Sequence, residues 1–428
     1  MIYRARVLDT PEDPFQGGGL RSEPDAGLYV DAGGQIADRG NFVDVRARHP
    51  AEPVEDLGEG LLLPGFVDCH VHFPQARVIG ALGLPLLDWL ERYALPEEAR
   101  FAELDYAEAV AGEFVRALVD AGTTTALVFG AHFAAAVDTL FEAASSLGLR
   151  ITSGLVVGDR MLRPDLHTTA QRAYDEGLEL AGKWHGTGRN RYAVMPRFAL
   201  SCSDDLLAAC FALQQAVAGS WFSSHLNENL TEIATVRELC NGGYVESYDR
   251  HDLVGPRSVF AHNVHPEPAE LDRLADARSA IAHCPTSNAA LGSGLFPLDR
   301  HLAHGVHVAL GCDVGAGTGY SLFKEGLQAY FAQQQRGADG VALGPQHLLY
   351  LATAAGAAAL GLGDEVGDLS VGKAFDALWL RPPPDSPLGV GLRHAESSEQ
   401  ALARAFALAT SYDIAGVWIG GVETKQSG

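Results

Sequence analysis

Over about 300 residues this chain alternates short apolar runs with amphipathic stretches, and that alternation restricts its fold more than any other feature. Helical patterning over about Asp105–Ala121 leads into the strand-like run Thr123-Thr124-Thr125-Ala126-Leu127-Val128-Phe129. A second helical stretch, about Ala134–Leu147, leads into Arg150–Val157. Further runs of strand character lie near Tyr192–Val194, Gly219–His225, Ser258–His262, Ala280–His283 and His307–Asp313. Strand–helix pairs in series predict a parallel sheet, and eight such units close into a barrel. The 428 residues suffice for one barrel and a smaller domain.

The ends read differently. Residues 1 to about 60 are short strands punctuated by Gly17-Gly18-Gly19, Asp31-Ala32-Gly33-Gly34 and Asp38-Arg39-Gly40. Gly367–Leu380 and Asp413–Thr424 have the same character. We therefore expect residues 1–62 and 370–428 to form one small composite β-sandwich domain around a barrel over 63–369.

Within the barrel segment, polar residues stand where apolar strands run out. Leu61-Leu62-Leu63-Pro64-Gly65-Phe66-Val67 ends in Asp68-Cys69-His70-Val71-His72. Residues two apart on a strand face the same way, so His70 and His72 can grip one ion. His225 ends Trp221-Phe222-Ser223-Ser224, His262 ends Val259-Phe260-Ala261, His283 ends Ala280-Ile281-Ala282, and Asp313 follows Val308-Ala309-Leu310-Gly311-Cys312. In a parallel barrel the strand C-termini meet on one face. His70, His72, His225, His262 and Asp313 would then surround one point, a donor set suited to zinc or ferrous iron. Glu228, three residues after His225, is placed to act as a general acid/base without binding the metal. Taken singly, each residue has an ordinary reading: a hydrogen-bonded core histidine, or an aspartate capping a turn. Shared placement at strand ends is what favours a site. His265, His301, His304, His307 and His347 end no apolar strand and read as surface or helix residues.

Other motifs are weak or missing. Gly315-Ala316-Gly317-Thr318-Gly319-Tyr320 opens no βαβ unit and reads as a tight turn, not a dinucleotide loop. Cys284-Pro285 lacks the spacing of the HxE/PCxxC deaminases. The six cysteines form no CxxC pair and read as reduced core thiols. With 54 acidic against 31 basic residues, the net charge of −23 argues against nucleic acid or an anionic membrane as partner. Neither a signal core nor an apolar run of membrane-spanning length is present, so the cytoplasm is the expected location.

Pro64-Gly65-Phe66-Val67-Asp68-Cys69-His70-Val71-His72 resembles the opening motif of the amidohydrolase superfamily. Within that superfamily the chain is most similar to the guanine deaminases. The segments that carry the likeness are His72-Phe73-Pro74-Gln75, Leu87-Asp88-Trp89-Leu90-Glu91-Arg92-Tyr93, Pro196-Arg197-Phe198-Ala199-Leu200-Ser201-Cys202-Ser203, His225-Leu226-Asn227-Glu228-Asn229 and His283-Cys284-Pro285-Thr286-Ser287-Asn288. The resemblance implies a distorted (β/α)8 TIM barrel and a homodimer. It also implies one Zn2+ per subunit (Fe2+ as the alternative) held by His70, His72, His225, His262 and Asp313. Glu228, Asp313 and His283 are implied as catalytic, with Gln75, Arg197, Phe198 and Trp89 as substrate contacts. The reaction implied is hydrolysis of guanine to xanthine and ammonia by a metal-activated water, in purine catabolism. Physically, Arg is the usual bidentate partner of the O6/N7 edge of guanine. Cys312 and Asn263 depart from the residues common beside the ligands, and neither is itself a ligand.

Three other readings remain open at this point. A related deaminase could act on a pterin, 8-oxoguanine, an adenosine-type or a triazine substrate; Gln75 and Arg197 discriminate against these. A two-metal hydrolase of cyclic amides would use a bridging lysine, and Lys183 ends no clear strand. A non-catalytic scaffold would be expected to have lost at least one ligand or Glu228.

Overall fold

A computed structural model describes residues 1–426; the last two residues of the expected terminal domain, 427–428, lie outside the described residues. The N-terminal strands are β1 (Ile2–Asp9), β2 (Arg21–Val30), β3 (Ile36–Asn41), β4 (Val54–Asp56) and β5 (Leu61–Pro64). The barrel strands follow as β6 (Phe66–His72), β7 (Thr123–Phe129), β8 (Arg150–Ser153), β9 (Val156–Val157) and β10 (Arg191–Pro196). They continue as β11 (Trp221–Leu226), β12 (Ser258–His262), β13 (Ala280–His283) and β14 (His307–Leu310). Three C-terminal strands complete the set: β15 (Ala377–Leu380), β16 (Ile414–Ile419) and β17 (Val422–Gln426).

The middle strands form one parallel sheet in the order β14-β13-β12-β11-β10-β8-β7-β6, with β9 beside β10. Its two edges meet: His72 N donates to Val314 O at 2.9 Å and Asp313 N to His70 O at 2.8 Å. Helices pack outside, so most barrel strands are buried along their whole length, as continuous apolar runs require. The expected single strand over 150–157 is broken in two. Gly154 lies where an added Cβ would come 1.9 Å from Ala193 O, so the chain turns past its neighbour there instead of pairing.

The terminal strands form a separate eight-stranded sheet, ordered β17-β16-β15-β5-β1-β2-β3 with β4 beside β1. It encloses its own apolar cluster, including Val7, Leu28, Ile36, Leu62, Phe375 and Trp418. Two features were not expected. β5 runs to Pro64, so only Gly65 separates the terminal sheet from the first barrel strand. The helix Ser398–Leu408, inside the C-terminal segment, buries Ala401, Leu402, Ala405 and Phe406 in the main apolar cluster, while Ser398 at its start bonds to Arg6 and Ser22 of the terminal sheet. All six cysteines are buried and free. Among the described residues, no helix is long and apolar enough to cross a membrane.

Candidate active site

The barrel brings the strand-end residues together. His70 and His72 project from β6 to one side, and their Nε2 atoms lie 3.1 Å apart. His225, near the end of β11, places its Nε2 3.1 Å from that of His72. Asp313 Oδ1 is 3.3 Å from Nε2 of both His70 and His72, and Oδ2 is 3.8 Å from His262 Nε2. His262 and Asp313 reach inward from left-handed backbone, with φ of 71° and 48°. Such conformations concentrate at functional sites, where the surrounding structure holds them.

Hydrogen bonds on the far side of the rings fix which nitrogen faces the centre. His225 Nδ1 contacts Arg197 O, and His262 Nδ1 lies 3.0 Å from Asn288 Oδ1. Both partners are acceptors, so Nδ1 carries the hydrogen and Nε2 offers a lone pair. Burial pushes the His72 ring down to about 4, with Asp313 opposing, and burial holds His225 well below its ordinary value. Burial pushes Asp313 up, but the facing His70 and His72 rings outweigh it, and its carboxyl stays well below the usual range. Neutral imidazole lone pairs converging on one another and on a carboxylate cannot satisfy each other by hydrogen bonding. They fit a cation. Two overlapping groups, His70/His72/His225 and His70/His262/Asp313, have ligand atoms within 4.8 Å of one another.

Glu228 sits beside this cluster. Its Oε2 is 3.5 Å from His262 Nε2, and Oε1 accepts from Ser293 Oγ at 3.1 Å. Burial and the charge of Asp313 push its carboxyl up to about 8. His72, His225, His262, Asp313 and Glu228 line a cavity of about 380 Å3 together with Gln75, Trp89, Arg197 and Phe198. Leu86, Leu90, Leu291 and Ala316 also line it. Leu86, Trp89, Leu291 and Ala316 belong to a small apolar cluster apart from the main core, which roofs the cavity.

His283 ends β13 as expected but is not among the residues lining the cavity. Its ring stacks on Phe296 at 4.1 Å between centroids, and neither ring nitrogen has a hydrogen-bond partner. Burial and the neighbouring His301 and His262 push it down to about 3. Asn288, five residues on in the same segment, is the one that orients a ring of the cluster, His262. Of the histidines set aside, His301 lies on the helix Leu298–Ala303 but is fully buried, with Nε2 2.9 Å from Asn263 Nδ2. His307 opens β14 half-buried, with Nε2 on Ala355 O at 2.8 Å, so it is a strand residue and not a helix one.

The residue that sequence reasoning passed over is Glu98, on the short helix Leu95–Ala99. Arg197 Nη1 donates to both of its oxygens, at 2.8 and 2.6 Å, and Gln75 Nε2 donates to Oε1 at 2.8 Å. His132 Nε2 lies 3.2 Å from Oε2. Burial pushes this carboxyl up, but Arg197 and His132 outweigh it and hold it well below the usual range. Nothing around Glu98 in the sequence signals this, because its partners come from β6, β7 and β10 connections far along the chain.

Residues 61–424 match the model of the amidohydrolase family. The chain is 57% identical to the probable guanine deaminase of Deinococcus radiodurans over 98% of this chain and 97% of that protein. The structure of E. coli guanine deaminase superposes with a TM-score of 0.94 at 35% identity, covering 99% of this chain and 98% of that one. A guanine deaminase from C. acetobutylicum, solved with guanine in its active site, superposes with a TM-score of 0.91 at 28% identity, covering 99% of both chains.

Proposed function

The chain belongs to the amidohydrolase family of metal-dependent hydrolases, and we infer from its site and its relatives that it deaminates guanine hydrolytically, yielding xanthine and ammonia. The observation that carries this reading is the placement of Gln75 and Arg197 in the wall of the cavity that the four clustered histidines, Asp313 and Glu228 also line or adjoin.

His70, His72, His225, His262 and Asp313 would hold one divalent ion, with zinc favoured by four nitrogen donors and one carboxylate and ferrous iron as the alternative. When bound, such an ion supplies a water of lowered pKa. Arg197 donates to the O6/N7 edge of the base, and Gln75 holds a second edge. Phe198 and Trp89 lie against the flat purine, and the apolar roof excludes bulk water. Glu228, already raised toward neutrality, gives a proton to the ring nitrogen next to C2 as the carbon becomes tetrahedral. It then helps the 2-amino group leave as ammonia. Asp313 serves as the second proton acceptor. The expected contact of His283 with the developing oxyanion has no part in this reading, because its ring stacks on Phe296 away from the cavity wall.

We assign the enzyme to purine-base catabolism in the cytoplasm, as a homodimer. Six buried reduced thiols suit a reducing compartment, and the net charge of −23 supports neither nucleic acid nor an anionic membrane as partner. The division into a composite terminal domain and a barrel over 63–369 is part of the same reading. The test is guanine consumption by purified, zinc-loaded protein, followed by ultraviolet absorbance and ammonia release. Stoichiometric xanthine and ammonia, lost on chelation and restored by zinc, is the expected result. A metal-replete sample that leaves guanine intact but deaminates a pterin or triazine would overturn the substrate.

A further inference from the structure

The guanidinium of Arg197 and the amide of Gln75 do not orient themselves. Arg197 has five N–H groups, and Nη1 donates to both oxygens of Glu98. Among the described residues no group accepts from its Nε or Nη2, so the forked edge that makes bidentate contacts is left to the cavity that Arg197 lines. The Gln75 amide is fixed at both ends: Nε2 donates to Glu98 Oε1, and Oε1 accepts from Gly315 N at 3.2 Å. The flipped amide would set its carbonyl oxygen against the Glu98 carboxylate. Glu98 and Arg197 are both almost wholly buried, so each is the other's counter-charge in a place where an unpaired ion is costly. His132 supplies a third donor from the loop after β7.

We propose that Glu98 is the positioning residue that sets the enzyme's preference for 6-oxo purines, by aiming the free edge of Arg197 and fixing the amide of Gln75. It touches no substrate and acts through those two side chains. The inference rests on the guanine reading above, and the test separates the two.

Hypoxanthine carries the 6-oxo acceptor and purine does not; neither has a 2-amino group, so both bind without being deaminated. Calorimetric dissociation constants are measured for each on zinc-loaded wild type and on Glu98→Gln, which keeps an acceptor for Gln75 but removes the charge facing Arg197. Metal content and the unfolding midpoint are recorded alongside. Wild type should prefer hypoxanthine; Glu98→Gln should weaken hypoxanthine about thirtyfold while purine shifts by less than about threefold and metal stays bound. Equal loss for both ligands, or no loss for hypoxanthine, would overturn the proposal. Wild type that turns over no guanine and shows no preference would instead overturn the guanine reading. Because the single variant leaves Arg197 buried without a counter-ion, Arg197→Met and the double variant Glu98→Gln/Arg197→Met are measured too. The double variant carries no unpaired charge, and its hypoxanthine-to-purine ratio should equal that of Arg197→Met. A further drop in that ratio would show that Glu98 does not act through Arg197.

Discussion

The chemistry proposed for single residues hangs on Glu228, which is close to the histidine–aspartate cluster yet has its own partner in Ser293. Glu228→Gln keeps the shape and the hydrogen bond but cannot move a proton. We expect metal content to stay at the wild-type level and kcat for guanine to fall by about three orders of magnitude, the scale of a lost general acid/base. A variant retaining more than about a tenth of the wild-type rate would remove Glu228 from this role. The convergence of His70, His72, His225, His262 and Asp313 was legible in the sequence because each stands at or just past the end of an apolar run, and parallel strands bring such ends together. Glu98 and Asn288 were not, because their significance lies in a partner's orientation. A buried glutamate on a short helix looks like any other until Arg197, 99 positions along the chain, is seen beside it. His283 shows the converse: it ends a strand, and the register still turns its ring onto Phe296.

At the scale of elements, the site depends on how closely β6 approaches β14, where the barrel closes. Gly311 sits at that seam. Its N–H donates to His283 O at 2.9 Å on one side, while on the other an added Cβ would lie 2.8 Å from His70 Cβ and 2.9 Å from His70 N. Gly311→Ala must therefore push β6 outward and stretch the Asp313 N to His70 O bond that holds two ligands in register. Overpacking of this kind costs about 1–3 kcal/mol. The expected outcome is a lower unfolding midpoint and less than one metal per chain. Gly112→Ala is the control: nothing lies within 4 Å of a Cβ there, and inside the helix Leu104–Asp120 it should stabilise by about 0.5–1 kcal/mol with metal unchanged. Full metal occupancy in Gly311→Ala would mean that the seam does not set ligand spacing. The elements were read well where periodicity ran long, as in the helices Leu104–Asp120 and Ala134–Ser146 and the strand Thr123–Phe129. They were read poorly where tertiary contacts decide. The break after Ser153 follows from the close approach of Gly154 to Ala193. The helix Phe42–Arg48 lies in a segment whose turn residues suggested strands alone, and Ser398–Leu408 lies between the two C-terminal stretches read as strands.

For the whole molecule, the question is what ties a sheet made from both chain ends into one body. Much of the answer is Asp9, at the end of β1 and fully buried. Its carboxylate accepts from Arg21 Nε at 2.7 Å and from Arg39 Nη1 at 2.8 Å, on β2 and β3. It also accepts from Leu369 N at 2.9 Å, some 360 positions away in sequence. Arg39 Nη1 in turn donates to Leu369 O at 2.8 Å, so one buried carboxylate joins three N-terminal strands to the C-terminal segment. Burial pushes Asp9 up, but its hydrogen bonds to Arg21 and Arg39 outweigh that and leave it below the usual carboxylate value. A carboxyl whose folded pKa is depressed contributes stability above its unfolded pKa, about 4, and loses it as pH falls through the folded value. Asp9→Asn removes one of the two carboxylates that face buried Arg39, whose Nε still donates to Glu23. Because Arg21 remains partly exposed and screened, we expect a loss of about 3 kcal/mol at pH 7, the low end for breaking a buried pair. Denaturant midpoints of wild type and variant should differ fully at pH 7 and converge below about pH 4. A gap that stays constant on acidification would show that the charge of Asp9 is not what fastens the two ends together.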